Sequence, residues 1–385
     1  MKLQTTTITL LAALIVGLCA VSANAQHEND LHFGVANGKM LVKAPATCEV
    51  PKILYYNGSY WVRDQGIDGV LVLGSPSYYE LKSETWQQIS YTPGLVYSGW
   101  FGQDWLGSPP KPGFVNLDDG SNRHAHKNVM AGVAGTYVLK IYLANGIDHF
   151  GNHVQDSDPW TMIWVTCDPN NLDAPAYAQV DLPLLRNLPD TPSNPTDSGF
   201  AGVDVSSLVV SGIFPSGFYT QAENQTGGVF VRTTETVSLG DRVRVKGNLS
   251  TNGSERVITA TEPISATAGI PPKPLGVITR SIGGGPAGKY TPGTRSGIGV
   301  STIGLLIRVG GVIRYSGTDA YISDGSQLPN GLPGVRISQD LLGTPLSLPT
   351  GGMPLAVSGI SGTEVVDGNV LPVIRPRGQA DVTSY

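Results

Sequence analysis

Apolar and polar positions alternate with the period of half-buried strands from Leu31-His32-Phe33-Gly34-Val35 onward, again at Ile53-Leu54-Tyr55-Tyr56, and at Gly69-Val70-Leu71-Val72-Leu73. No amphipathic helical stripe of useful length competes. The clearest hairpin sets Gly135-Thr136-Tyr137-Val138-Leu139-Lys140-Ile141-Tyr142-Leu143 against Trp160-Thr161-Met162-Ile163-Trp164-Val165-Thr166-Cys167, with a loop containing His and Asp between them. These two segments are expected to close a β-sandwich over residues 26–170. From 171 to 200 the alternation gives way to recurrent proline, which marks a semi-rigid boundary.

Two further β segments then follow one plan. The first, 201–268, contains Val209-Val210-Ser211-Gly212-Ile213-Phe214, a strand with Tyr219, a short strand after Gly228, an apolar strand ending in Gly247, and an Asn252-Gly253 turn. The second, 301–385, contains Ile307-Arg308-Val309-Gly310-Gly311, a strand with Tyr321, a short strand after Gly334, an apolar strand ending in Gly359, and an Asp367-Gly368 turn. A Gly/Pro-rich connector, 269–300, separates them. Five short strands in this order predict a small closed barrel of the OB type. The expected class is therefore all-β, an N-terminal β-sandwich followed by two tandem OB-like β-barrels.

Residues 1–25 interrupt this pattern. Lys2, the apolar run Ile8 to Leu18, and Ala23-Asn24-Ala25 follow the order of a cleavable secretory signal, and the apolar core is short for a transmembrane anchor. Leu18 stands where a lipoprotein signal needs a small residue before Cys19. The expectation is a secreted or cell-surface protein with no membrane span after signal cleavage. Composition agrees with short strands and many turns: Gly 49, Pro 28 and only 14% charged residues. Residues 26–199 hold ten Lys/Arg against eighteen Asp/Glu, whereas 200–385 hold fourteen against twelve. Without clustered cations, counterion release offers little, so nucleic acid is not the expected partner. Other surface proteins or glycans are.

Signal removal leaves Cys48 and Cys167, an even pair in an oxidising compartment and the simplest candidates for a disulfide. All six histidines lie at or before residue 153. His124 and His126, two apart on a strand, project to one face, and His32, His149 and His153 are the candidate third and fourth ligands. Neutral imidazoles with nearby Asp118, Asp119, Asp148, Asp156 and Asp158 would suit zinc or copper. The alternative is a set of polar residues on an acidic surface. Trp86, Tyr91, Tyr97, Trp100, Phe101 and Trp105 form a stretch that is either core with long loops or a stacking surface.

The phrase from Val209 to Ala260 resembles OB-like modules found beside the catalytic domains of bacterial secreted nucleases and in large bacterial surface proteins. The resemblance extends over most of 200–382, is closer for the first copy, and implies a fold more than a ligand. If such a module bound an oligonucleotide or oligosaccharide, Phe218, Tyr219, Arg242 and Arg244 would form its first face. Asp119-Gly120, His124, His126 and Gly135-Thr136-Tyr137 resemble a β domain of bacterial surface-anchored proteins, some associated with metal uptake.

Enzyme motifs are incomplete. Gly283-Gly284-Gly285-Pro286-Ala287-Gly288-Lys289 has the glycines and lysine of a phosphate loop, but Tyr290 replaces the magnesium-binding Ser or Thr, so the segment reads as linker. No G-x-S-x-G or H-E-x-x-H is present. The sequence thus points to a non-enzymatic structural or adhesive surface component, with an extracytoplasmic metal-binding protein and an OB-type binder as rivals.

Overall fold

The structure, a computed structural model, describes residues 31–43, 51–59, 61–68, 78–79, 81–93, 95–98, 113–115, 124–148, 150–168, 170, 176–192, 200–295, 297–326, 328 and 331–385. The chain is all-β. It divides into two compact units, residues 1–176 with 196–200, and residues 177–195 with 201–385. The expected signal segment, residues 1–25, and Cys48 of the expected disulfide lie outside the described residues.

The first unit contains β1 (Leu31–Ala36), β2 (Lys39–Lys43), β3 (Lys52–Tyr56), β4 (Trp61–Asp68), β5 (Tyr78–Tyr79), β6 (Leu81–Tyr91), β7 (Leu95–Ser98), β8 (Gly113–Val115), β9 (His124–Ala131), β10 (Thr136–Asp148) and β11 (Trp160–Thr166). Their order is β2-β1-β4-β3-β11-β10-β6-β8, with β9 on β4, β7 on β9 and β5 on β1. β3 joins two groups of strands, pairing antiparallel with β4 and parallel with β11. Asn37 and Gly38 turn the β1–β2 hairpin with φ of 51° and 74°, the left-handed pair that a two-residue turn matched to strand twist requires. The expected hairpin of β10 and β11 forms, with Tyr137 opposite Trp164. Alternation along β10 buries Leu139, Ile141 and Leu143, and Leu54 and Trp164 are buried with them. The sulfur of Cys167, also buried, accepts the Tyr56 N–H at 3.3 Å.

The second unit contains β12 (Ala176–Gln179), α1 (Leu182–Leu185), β13 (Phe200–Phe214), β14 (Gly217–Ala222), β15 (Gly228–Arg232), β16 (Arg242–Asn252), β17 (Glu255–Ala260), β18 (Ser265–Thr267), β19 (Leu275–Gly276), β20 (Leu306–Ser316), β21 (Asp319–Ser323), β22 (Val335–Ile337), β23 (Pro354–Val366), β24 (Asn369–Arg375) and β25 (Val382–Ser384). One sheet runs β12-β13-β14-β15-β17-β16-β18 and the other β19-β20-β21-β22-β24-β23-β25. Pairing of β13 with β16, and of β20 with β23, closes each into a five-stranded barrel. In both, the third and fifth strands run parallel, β15 with β17 and β22 with β24. The two copies therefore share one connectivity, that of an OB-like barrel.

The repeat is longer than its sequence pattern suggests. A strand before each barrel joins its first strand, and a strand after it joins its fourth, so the repeated unit has seven strands. Two of these, β12 and β19, come from the Pro-rich and Gly/Pro-rich stretches, and they have only four and two residues. The Pro-rich stretch also packs: Leu182, Leu185 and Leu188 are buried. Asp181 caps α1 by accepting the Leu184 N–H, and Pro183 lies in its first turn, where a missing N–H costs nothing. Apolar side chains fill each barrel. Ile307, Val309, Ile322, Val335, Val357 and Ile374 belong to the interior of the second. No helix among the described residues is long and apolar enough to cross a membrane.

Candidate functional site

Strand alternation gives β14 and β15 two faces. Phe218 and Val231 pair across the ladder on one, and both are buried in the first barrel. Tyr219 and Phe230 pair on the other, and with Phe214 and Val257 they pack against Leu306 and Ile360 of the second barrel. Tyr219 lies between two rings, with centroids 5.9 Å from Phe214 and 4.9 Å from Phe230. Gly228 and Gly304 let the two backbones touch: a Cβ on Gly228 would lie 2.1 Å from the Gly304 oxygen, and one on Gly304 2.4 Å from the Gly228 carbonyl carbon.

A polar cluster sits in this junction. The Tyr219 hydroxyl donates to Glu255 Oε2 at 2.6 Å, and Arg375 Nη1 donates to Glu255 Oε1 at 2.6 Å and to the Tyr219 oxygen at 3.2 Å. Arg375 Nη2 donates to the Thr363 carbonyl at 2.8 Å, while Glu255 also accepts the Thr363 N–H. Burial opposes the Arg375 charge, but the neighbouring Tyr219 and Glu255 outweigh it and hold its pKa above the ordinary arginine value. Burial, and then the Glu255 charge, push the Tyr219 pKa well above the usual tyrosine range. The cluster is a tie between barrels. Nothing in the sequence signals it, because Glu255 and Arg375 are 120 residues apart.

This geometry corrects the expected OB-type ligand face. Phe218 is 1% exposed and Tyr219 3%, one inside the barrel and the other beneath its neighbour, so neither offers a ring for stacking. Arg242 and Arg244 do reach the surface, but each meets a carboxylate: Arg242 Nε donates to Glu223 at 2.7 Å, and Arg244 Nε donates to Asp204 at 2.7 Å. Lys246, on the same edge of β16, pairs with Glu262 at 3.1 Å. The surface cations of this strand are matched by anions.

The histidines are partly gathered by register. Asp68 of β4 pairs with His32 of β1 on one side and with His124 of β9 on the other, and His126 pairs with Gly66. Three neighbouring strands thus place His32, Asp68 and His124 in one lateral row, with strands about 4.8 Å apart. His153 is elsewhere. It is exposed and bridges to Ile147, and its segment runs beside Lys39, whereas His32 pairs with Lys43 at the far end of β2. That separates them by about four strand residues, or about 13 Å. His149, and the side chains of His32, His124 and His126, lie outside the described residues. Among the described residues, no three of His, Cys, Asp and Glu converge as a metal would require.

The glycine-rich loop is structural. Gly283 N donates to Thr302 Oγ1 and Ser361 Oγ, Gly285 N to the Gly299 carbonyl, Ala287 N to the Thr291 carbonyl, and Lys289 N to Asn187 Oδ1. Amides bonded in this way cannot cradle a phosphate.

Fold and junction together define an all-β protein with a duplicated, fused OB-like barrel. No family model matches the chain, and no curated protein matches it. A solved structure, the Bacillus anthracis TIE protein, aligns over 86% of this chain and 55% of its own length, at 6% identity and a TM-score of 0.17. At that score the likeness carries no argument.

Proposed function

We propose that the protein is an exported, non-enzymatic component of the cell surface, structural or adhesive in role. The observation that carries this reading is the junction. The face on which an OB-type barrel commonly receives a ligand is given over to the next barrel, through Tyr219, Phe230, Leu306, Ile360 and the buried Glu255–Arg375 pair. Two barrels joined in this way make a stiff spacer. The secretory pattern of residues 1–25 supports a location outside the cytoplasm for such a body. Protease treatment of intact cells, followed by detection of the chain, tests the reading. Loss of the protein from whole cells is expected. Full protection in intact cells, with release only on lysis, would refute it.

A second reading is an extracytoplasmic zinc or copper protein, favoured by the row His32, Asp68, His124. Elemental analysis of the purified chain separates the two. This second reading expects stoichiometric metal that is lost in His124→Ala/His126→Ala, with the barrels still folded because they contain no histidine.

A further inference from the structure

The pairing registers set the two copies in one frame. Tyr219 lies opposite Phe230, which runs beside Val257, and in the second copy Tyr321 lies opposite Arg336, which runs beside Val373. The first set belongs to the junction. In the second set a guanidinium stands at the position of Phe230. The same ladders place Leu371 where the first copy has Glu255, and Thr259 where the second has Arg375. Leu306 and Ile360, the pair that receives the first barrel, correspond to Gly202 and Asn248. Each half of the junction is thus present in one copy and absent from the other.

In the second copy, acids enclose the position of Phe230. Arg336 Nε donates to Glu364 Oε1 at 3.0 Å, and Nη2 donates to Asp340 at 2.9 Å and to Glu364 Oε2, while Asp319 lies 3.7 Å from Nη1. Covering this network with another barrel would desolvate three carboxylates against one cation, a penalty that an apolar face does not carry. At the other end, Gly202 cannot gain a side chain, since a Cβ would lie 2.2 Å from the Gly247 oxygen, and Asn248 is exposed. Arg244 and Lys246 alternate onto the same face of β16 as Asn248, but Asp204 and Glu262 already hold them. These cations are not free to match the acidic face of a second chain.

Repeat arrays end in units with a polar outer face. We infer that the barrel pair is closed: the junction contact is made once within the chain, Arg336 and its carboxylates cap the docking face of the second copy, and chains do not string together through it. This goes beyond surface location, because it makes the length of the spacer a property of one chain. Its failure would leave the protease-shaving result untouched.

Sedimentation of the full chain at increasing concentration tests it, beside one variant at each face. Asn248→Glu sets a like charge at the exposed receiving position, and it should sediment as the unsubstituted chain does at every concentration. Arg336→Phe/Glu364→Ala removes the cap. It should bind a hydrophobic dye and sediment faster as concentration rises, with a circular dichroism spectrum that shows folded barrels. Association of the unsubstituted chain that Asn248→Glu abolishes would overturn the inference, because the two faces would then meet. A folded double variant that sediments and takes up dye as its parent does would overturn the assignment of Arg336 and its carboxylates as the cap. If the double variant fails to fold, the comparison with Asn248→Glu still decides.

Discussion

Glu255 accepts from three residues of two barrels, Tyr219, Arg375 and Thr363, and removing different members of the cluster has different costs. Glu255→Gln leaves the Arg375 guanidinium buried without a counter-charge, so a loss of about 3–5 kcal/mol is expected in urea denaturation. Tyr219→Phe removes one charge-assisted bond and leaves the ring packing, so it should cost about 1.5–3 kcal/mol. The double substitution Glu255→Gln/Arg375→Met should cost less than the sum of its parts, because the two groups share one network. Tyr219 also predicts a pH dependence. Its folded pKa is raised, so the fold holds the phenol proton more tightly than the unfolded chain does. That contribution is complete below the unfolded value of about 10 and is lost as pH rises from there through the folded pKa. The urea midpoint should therefore fall above about pH 10, and Tyr219→Phe should remove the part of the slope due to this group.

Between elements, close approach of the two backbones is a second constraint on the junction. Gly228 opens β15 and Gly304 precedes β20, and neither tolerates a Cβ without moving backbone of the other barrel. Gly228→Ala should destabilise by about 1–3 kcal/mol in urea melts, chiefly by prising the barrels apart. A substitution with no effect would show that the junction is loose. Gly310, which has open space around it, is the control. These elements differ in how far they could be read from sequence. The strands of the barrels were legible because buried and exposed positions alternate, as with Val243 and Val245 against Arg242 and Arg244. The shared order was legible from turn residues such as Asn252-Gly253. β12 and β19 were not, since four and two residues carry no period. The role of Tyr219 is not legible for a related reason: alternation says that β14 has two faces, but not that a second barrel covers the outer one. The burial of Arg186 was invisible because an arginine in a proline-rich stretch reads as solvated, and only the fold packs it beneath Gly227.

At the scale of the second unit, the junction decides whether two barrels behave as two domains or one. Repeat proteins usually couple neighbours through interfaces that set cooperativity, and here the interface takes Phe214, Tyr219, Phe230 and Val257 from the first copy. The first barrel alone would expose a contiguous apolar face, a liability for aggregation. Further ties cross the same boundary: Gln221 Oε1 accepts the Leu306 N–H at 2.9 Å, and Arg377 Nη1 donates to the Ser211 carbonyl at 3.1 Å. The Pro-rich stretch is tied to the first barrel, where Asp190 accepts from Arg256 at 2.7 Å, and to the connector 269–300, where Arg186 O accepts from Tyr290 N at 3.0 Å. A fragment of residues 177–385 is therefore expected to unfold in one transition, with coincident midpoints by circular dichroism and tryptophan-independent probes such as hydrogen exchange. A fragment ending at residue 268 should aggregate or bind a hydrophobic dye, and it should recover solubility on mixing with residues 269–385. Two separate transitions in the longer fragment, or a soluble first barrel that ignores its partner, would mean that each barrel is sufficient by itself. Glu255→Gln offers a finer test, because weakening the buried pair should split the single transition before it lowers either barrel's own midpoint.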